Sequence, residues 1–65
     1  MVTYIARYEN VEYNLGSTAQ LDKMLEKGAN LYAYENGNYT LIATPESGYL
    51  VDKPIIPIVE VVTGG

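Results

Sequence analysis

The dipeptide Asn36-Gly37 stands between two runs rich in β-formers, Leu31-Tyr32-Ala33-Tyr34-Glu35 and Asn38-Tyr39-Thr40-Leu41-Ile42. Asn-Gly takes the positive φ angles of a type I′ turn at low steric cost, and that turn matches the twist of antiparallel strands. The dipeptide therefore predicts a hairpin over 30–44. It pairs Glu35 with Asn38, Tyr34 with Tyr39, Ala33 with Thr40, Tyr32 with Leu41 and Leu31 with Ile42. One face then carries Tyr32, Tyr34, Tyr39 and Leu41, and the other Leu31, Ala33, Thr40 and Ile42. Both faces are substantially apolar, so both are expected to touch something.

A second hairpin is expected upstream. Residues 2–8 and 11–15 read as strands around a Glu9-Asn10 loop. This register sets Arg7 opposite Glu12, a favourable cross-strand pair, and puts Val2, Tyr4, Ala6, Tyr8, Val11, Tyr13 and Leu15 on one face. Ser17-Thr18-Ala19-Gln20 then forms a capping box, and Leu21, Met24 and Leu25 make an apolar stripe at helical spacing. Gly28 is placed to end the helix. These signals set a helix at 18–27, too short to persist without packing on a sheet.

Tyr49-Leu50-Val51 reads as a short extended piece between turns at Pro45–Gly48 and Asp52–Pro54. The last strand is expected at about 56–62, with Pro57 at its entry. This nearly continuous apolar run, broken by Glu60, has the pattern of a strand inside a sheet. The order β-β-α-β-β-β, with a buried final strand in a sheet made by two hairpins and one helix across it, predicts an α+β fold. Its arrangement would be a ubiquitin-like β-grasp: a mixed sheet with the helix on one face. Residues 1–65 are expected to form one domain with a flexible Gly64-Gly65 tail.

Composition narrows function. The chain has no Cys and no His, which removes thiolate and imidazole chemistry and most zinc sites. A domain of 65 residues leaves little room for a supported active-site cleft, so an enzyme is not expected. Eight acids against four dispersed bases give a net charge of −4, which disfavours nucleic acid as a direct ligand. No stretch resembles a signal peptide or a membrane span, and the absence of Cys agrees with a cytoplasmic protein.

The sequence Ile58-Val59-Glu60-Val61-Val62-Thr63-Gly64-Gly65, behind Tyr49-Leu50-Val51-Asp52, Leu31–Gly37 and Leu21–Leu25, resembles ThiS/MoaD-type sulfur carriers of the β-grasp fold. The resemblance covers nearly the whole chain. It implies a protein substrate whose Gly65 carboxylate is adenylated by a ubiquitin-activating-like enzyme using ATP. The carboxylate is then converted to a thiocarboxylate with sulfur from a sulfurtransferase, for delivery to an acceptor synthase. The sulfur would serve cofactor assembly of the thiamine or molybdopterin type, or tRNA thiolation. No bound cofactor or metal is implied. Gly64 and Gly65 would let the terminus enter a narrow channel, with Thr63 leading into it.

Tyr32, Tyr34, Tyr39 and Thr63 are the candidate partner contacts. Tyrosine buries area while keeping a polar tip, although ordinary cross-strand packing would also account for these rings. Tyr4, Tyr8 and Tyr13 share the apolar face and read as core or core edge, while Lys53 and Glu60 read as solvated. A different reading makes the chain a non-conjugated interaction module, an inhibitor or assembly protein, acting through its tyrosine face.

Overall fold

A computed structural model describes residues 2–56. The first strand, β1 (Thr3–Tyr8), pairs antiparallel with β2 (Val11–Leu15) in the expected register, with Ala6 opposite Tyr13 and Arg7 opposite Glu12. The two loop residues both take positive φ, 50° at Glu9 and 66° at Asn10. That is the backbone of the primed turn, which suits Asn better than Glu.

The helix α1 spans Thr18–Lys27. Ser17 Oγ accepts the Gln20 amide at 3.3 Å, while Gln20 Oε1 accepts the amide of Gly16 at 2.6 Å. The reciprocal cap thus forms one residue earlier than the sequence box implies. At the other end Gly28 is left-handed (φ 109°), and the amides of Gly28 and Ala29 donate to Leu25 and Met24 carbonyls. These two bonds form a Schellman closure. Leu21 is fully buried, and Met24 and Leu25 pack more peripherally.

Strands β3 (Asn30–Glu35) and β4 (Asn38–Thr44) close through Asn36-Gly37, with φ of 53° and 82°. Pairing follows expectation from Glu35–Asn38 to Tyr32–Leu41. Leu31 then meets Ala43 instead of Ile42, across a bulge. The extra residue lets Ile42 and Ala43 both enter the core below α1. The two-residue β5 (Gly48–Tyr49) adds to β4 and is shorter than the expected extended piece.

The sheet order is β2-β1-β3-β4-β5, with every described pairing antiparallel. The α+β class holds, with one helix and one five-stranded sheet. Among the described residues the sheet is antiparallel and not mixed, because β1 pairs directly with β3. Tyr4 pairs with Leu15 on one side and Ala33 on the other, so both edges of β1 are occupied. The expected strand at 56–62 falls almost wholly outside the described residues, as do Thr63, Gly64 and Gly65. Ile56 itself is not in a strand.

Ala6, Leu21, Ala29, Leu31, Ile42 and Ala43 form the core between α1 and the sheet, flanked by Tyr4, Tyr8, Leu15 and Tyr49. Tyr13 takes the core-edge alternative: it is 43% exposed because its strand is at the sheet edge, where α1 only partly covers it. Residues 50–56 return along α1. The Leu50 amide donates to the Ile42 carbonyl at 2.8 Å, and Thr18 Oγ1 both donates to the Pro54 carbonyl and accepts the Ile56 amide. Among the described residues no helix is long and apolar enough to cross a membrane.

Candidate functional site

Alternation along β1, β3 and β4 sends Tyr32, Tyr34, Tyr39 and Leu41 to the face opposite α1, as the hairpin register requires. Tyr34 and Tyr39 are direct cross-strand partners, with ring centroids 4.7 Å apart and planes at 50°. Tyr32 meets Tyr39 edge-on, at 6.2 Å and 87°. Edge and tilted contacts are the arrangements that ring quadrupoles favour. Tyr39 stays 49% exposed and Leu41 39%, while Tyr32 and Tyr34 are half-buried.

β1 completes this face. Ile5 lies opposite Tyr32 and is buried, although it belongs to the side away from the helix. The Arg7 guanidinium sits 5.3 Å from the Tyr32 ring centroid and bonds Glu12 Oε2 at 2.6 Å. Its hydrogen bond to Glu12 raises the already high pKa of the guanidinium, so Arg7 stays charged at any working pH. The result is a row across four strands: carboxylate, guanidinium, then three phenol rings. The Arg7–Glu12 pair was legible in the sequence. Its place beside Tyr32 was not, because that needs the β1–β3 pairing.

A second polar group lies on the helix side. Asp22 accepts the Tyr49 hydroxyl at 2.9 Å and Lys53 Nζ at 2.6 Å, and Lys53 lies 5.7 Å from the Tyr49 ring centroid. Lys53 and Tyr49 hold the Asp22 carboxyl below its ordinary range. Burial, then the bond to Asp22, pushes Tyr49 up to about 12. Lys53 is solvated, as expected, and through Asp22 it also anchors the returning chain.

At the opposite edge of the sheet, an open groove of ≈ 210 Å³ runs between β2 and α1, lined by Tyr13, Asn14, Leu15, Gln20, Lys23 and Met24. Among the described residues there is no cluster of acids suited to a metal ion. Of the expected site residues, the structure brings Tyr32, Tyr34 and Tyr39 together, while Thr63, Gly64 and Gly65 lie outside the described residues. No protein-family model, curated protein or solved structure matches the chain.

Proposed function

We propose that the chain is a protein-interaction module that docks a partner on the Tyr32–Tyr34–Tyr39 face and performs no catalysis itself. The supporting observation is the packed ring row, stiffened by Arg7 over Tyr32 and still half open to solvent at Tyr39 and Leu41. Pre-packed rings lose little rotamer freedom on binding, which favours affinity per unit area. Tyrosine and arginine are the residues most enriched at binding hot spots. The net charge of −4 suits a partner with an apolar centre and a basic rim.

A photo-crosslinking residue at position 39 is expected to capture a partner in cells, while the same residue at position 26, exposed on α1 and outside the β2–α1 groove, captures none. Tyr34→Ala should abolish the adduct. Capture from position 26 alone, or an adduct insensitive to Tyr34→Ala, discards the proposal.

The second reading, a ThiS/MoaD-type sulfur carrier, keeps Gly64-Gly65 as its support. A β-grasp would need the final strand between β1 and β3, which already pair with each other. In that reading a partner adenylating enzyme consumes ATP at the Gly65 carboxylate and a sulfurtransferase completes the thiocarboxylate. Removing Gly64 and Gly65 separates the two. The tyrosine-face adduct survives under the first reading, while under the second the exchange of one oxygen for sulfur, seen by intact mass, is lost.

A further inference from the structure

β2 is the long edge of the sheet. Among the described residues it pairs only with β1, whereas the opposite edge, β5, is two residues long. An apolar edge strand carrying unpaired backbone groups is a template for another strand. Val11 is 49% exposed and Tyr13 43%. The groove beside them lies open along the same edge.

The ladder fixes what that edge offers. Antiparallel pairs alternate between hydrogen-bonded and non-hydrogen-bonded, and the two-residue turn closes on the bonded pair Tyr8–Val11. Val11, Tyr13 and Leu15 therefore turn their N–H and C=O groups toward β1. Glu12 and Asn14 turn theirs outward.

We propose that a second copy of this chain occupies the edge, through antiparallel β2–β2 pairing about a two-fold axis at Tyr13. Only outward-facing residues can bond across such a junction, so the axis can lie at Glu12, at Tyr13 or at Asn14. An axis at Glu12 sets two carboxylates directly opposite, which is unfavourable. An axis at Asn14 leaves Val11 and Glu12 unpaired. With Tyr13 on the axis every residue of the strand finds a partner: Glu12 bonds Asn14 of the other copy in both directions, and Val11 meets Leu15. Tyr13 meets its own equivalent in the non-bonded position, where side chains approach closest.

Val11, Tyr13 and Leu15 share the helix side, so each copy lays apolar side chains over the open flank of the other's groove. The contact is isologous, as a two-fold requires. Because the axis is perpendicular to the sheet, both tyrosine rows emerge on the same side of one continuous sheet. The junction is small, at the low end of specific interfaces, so the dimer is a weak one.

The test is sedimentation equilibrium of the full chain from ~10 µM to ~1 mM, with amide exchange followed by NMR over the same range. The expected result is a mass rising toward two chains, with Glu12 and Asn14 amide exchange slowing as concentration rises. Asn14→Lys faces Glu12 of the other copy and should tighten the dimer. Asn14→Glu should weaken it, each by roughly five- to tenfold because the pair occurs twice. Unchanged amide shifts around Leu31 verify the fold of each variant. A monomer throughout, or a dimer that the two substitutions fail to move in opposite directions, overturns the proposal. So does protection of Glu12 and Asn14 that is independent of concentration, which would mean the edge is covered within one chain.

Discussion

The Tyr49 hydroxyl donates to Asp22 at 2.9 Å, joining the last described strand to the second turn of the helix. Lys53 reaches the other oxygen of the same carboxylate, so one helical side chain fastens both the sheet edge and the returning segment. Because the carboxylate is solvent-accessible, its value lies more in positioning than in net stability.

The bond gives the fold a pH signature at both ends. Tyr49 has its folded pKa raised from 10.0 to about 12. Its contribution is therefore fully present below pH 10 and is lost as pH rises through 12. Asp22 has its folded pKa lowered from 3.8, so its contribution is present above that value and fades as pH falls through the lower, folded one. Urea midpoints measured against pH should fall at both extremes. Tyr49→Phe should flatten the alkaline limb, and a limb left unchanged in that variant refutes the assignment.

Glu9 occupies a left-handed position that Asn or Gly fills with less strain. Glu9→Asn should stabilise the protein by about 0.5–1 kcal/mol, read from chemical denaturation at unchanged slope. Destabilisation would show that the Glu9 side chain contributes more than its backbone costs.

Leu21 is the helix residue wholly enclosed by the sheet. Leu21→Ala should cost about 2–5 kcal/mol, a large share of what a domain this small can hold. Leu25→Ala, at a partly buried position, should cost clearly less. Equal losses in thermal or urea unfolding would contradict the placement of the core.

Thr18 Oγ1 holds the returning chain twice, at 3.1 Å to the Pro54 carbonyl and 2.7 Å to the Ile56 amide. Thr18→Val removes both bonds while keeping the shape, and should cost about 1–2 kcal/mol. The diagnostic readout is faster hydrogen exchange at the Ile56 amide with the Leu31 amide unaffected. Uniform acceleration would point to global loss instead.

What the sequence disclosed is what local chemistry determines. Asn36-Gly37 set one hairpin register, and Ser17, Gln20 and Gly28 bounded the helix at the residues where it begins and ends. The pairing of β1 with β3 joins residues far apart in the chain. Nothing in the alternation of Tyr4-Ile5-Ala6 distinguishes Ala33 from a later strand as neighbour, since each would bury a similar apolar face. The apolar run from Ile58 invited the interior place that β3 holds in the structure. The bulge at Leu31 was equally hidden, because Ile42 and Ala43 are both small enough or apolar enough to face the core. For the candidate site, ring parity revealed Tyr32, Tyr34 and Tyr39 together, while Arg7 joined them only through the long-range ladder.

That bulge divides β4 into two trades. Before it, the odd-numbered residues Tyr39 and Leu41 look outward. After it, the odd-numbered Ala43 looks inward beside Ile42. A single strand thus changes phase partway along. Its first half therefore builds the tyrosine face, and its second half builds the core beneath the helix.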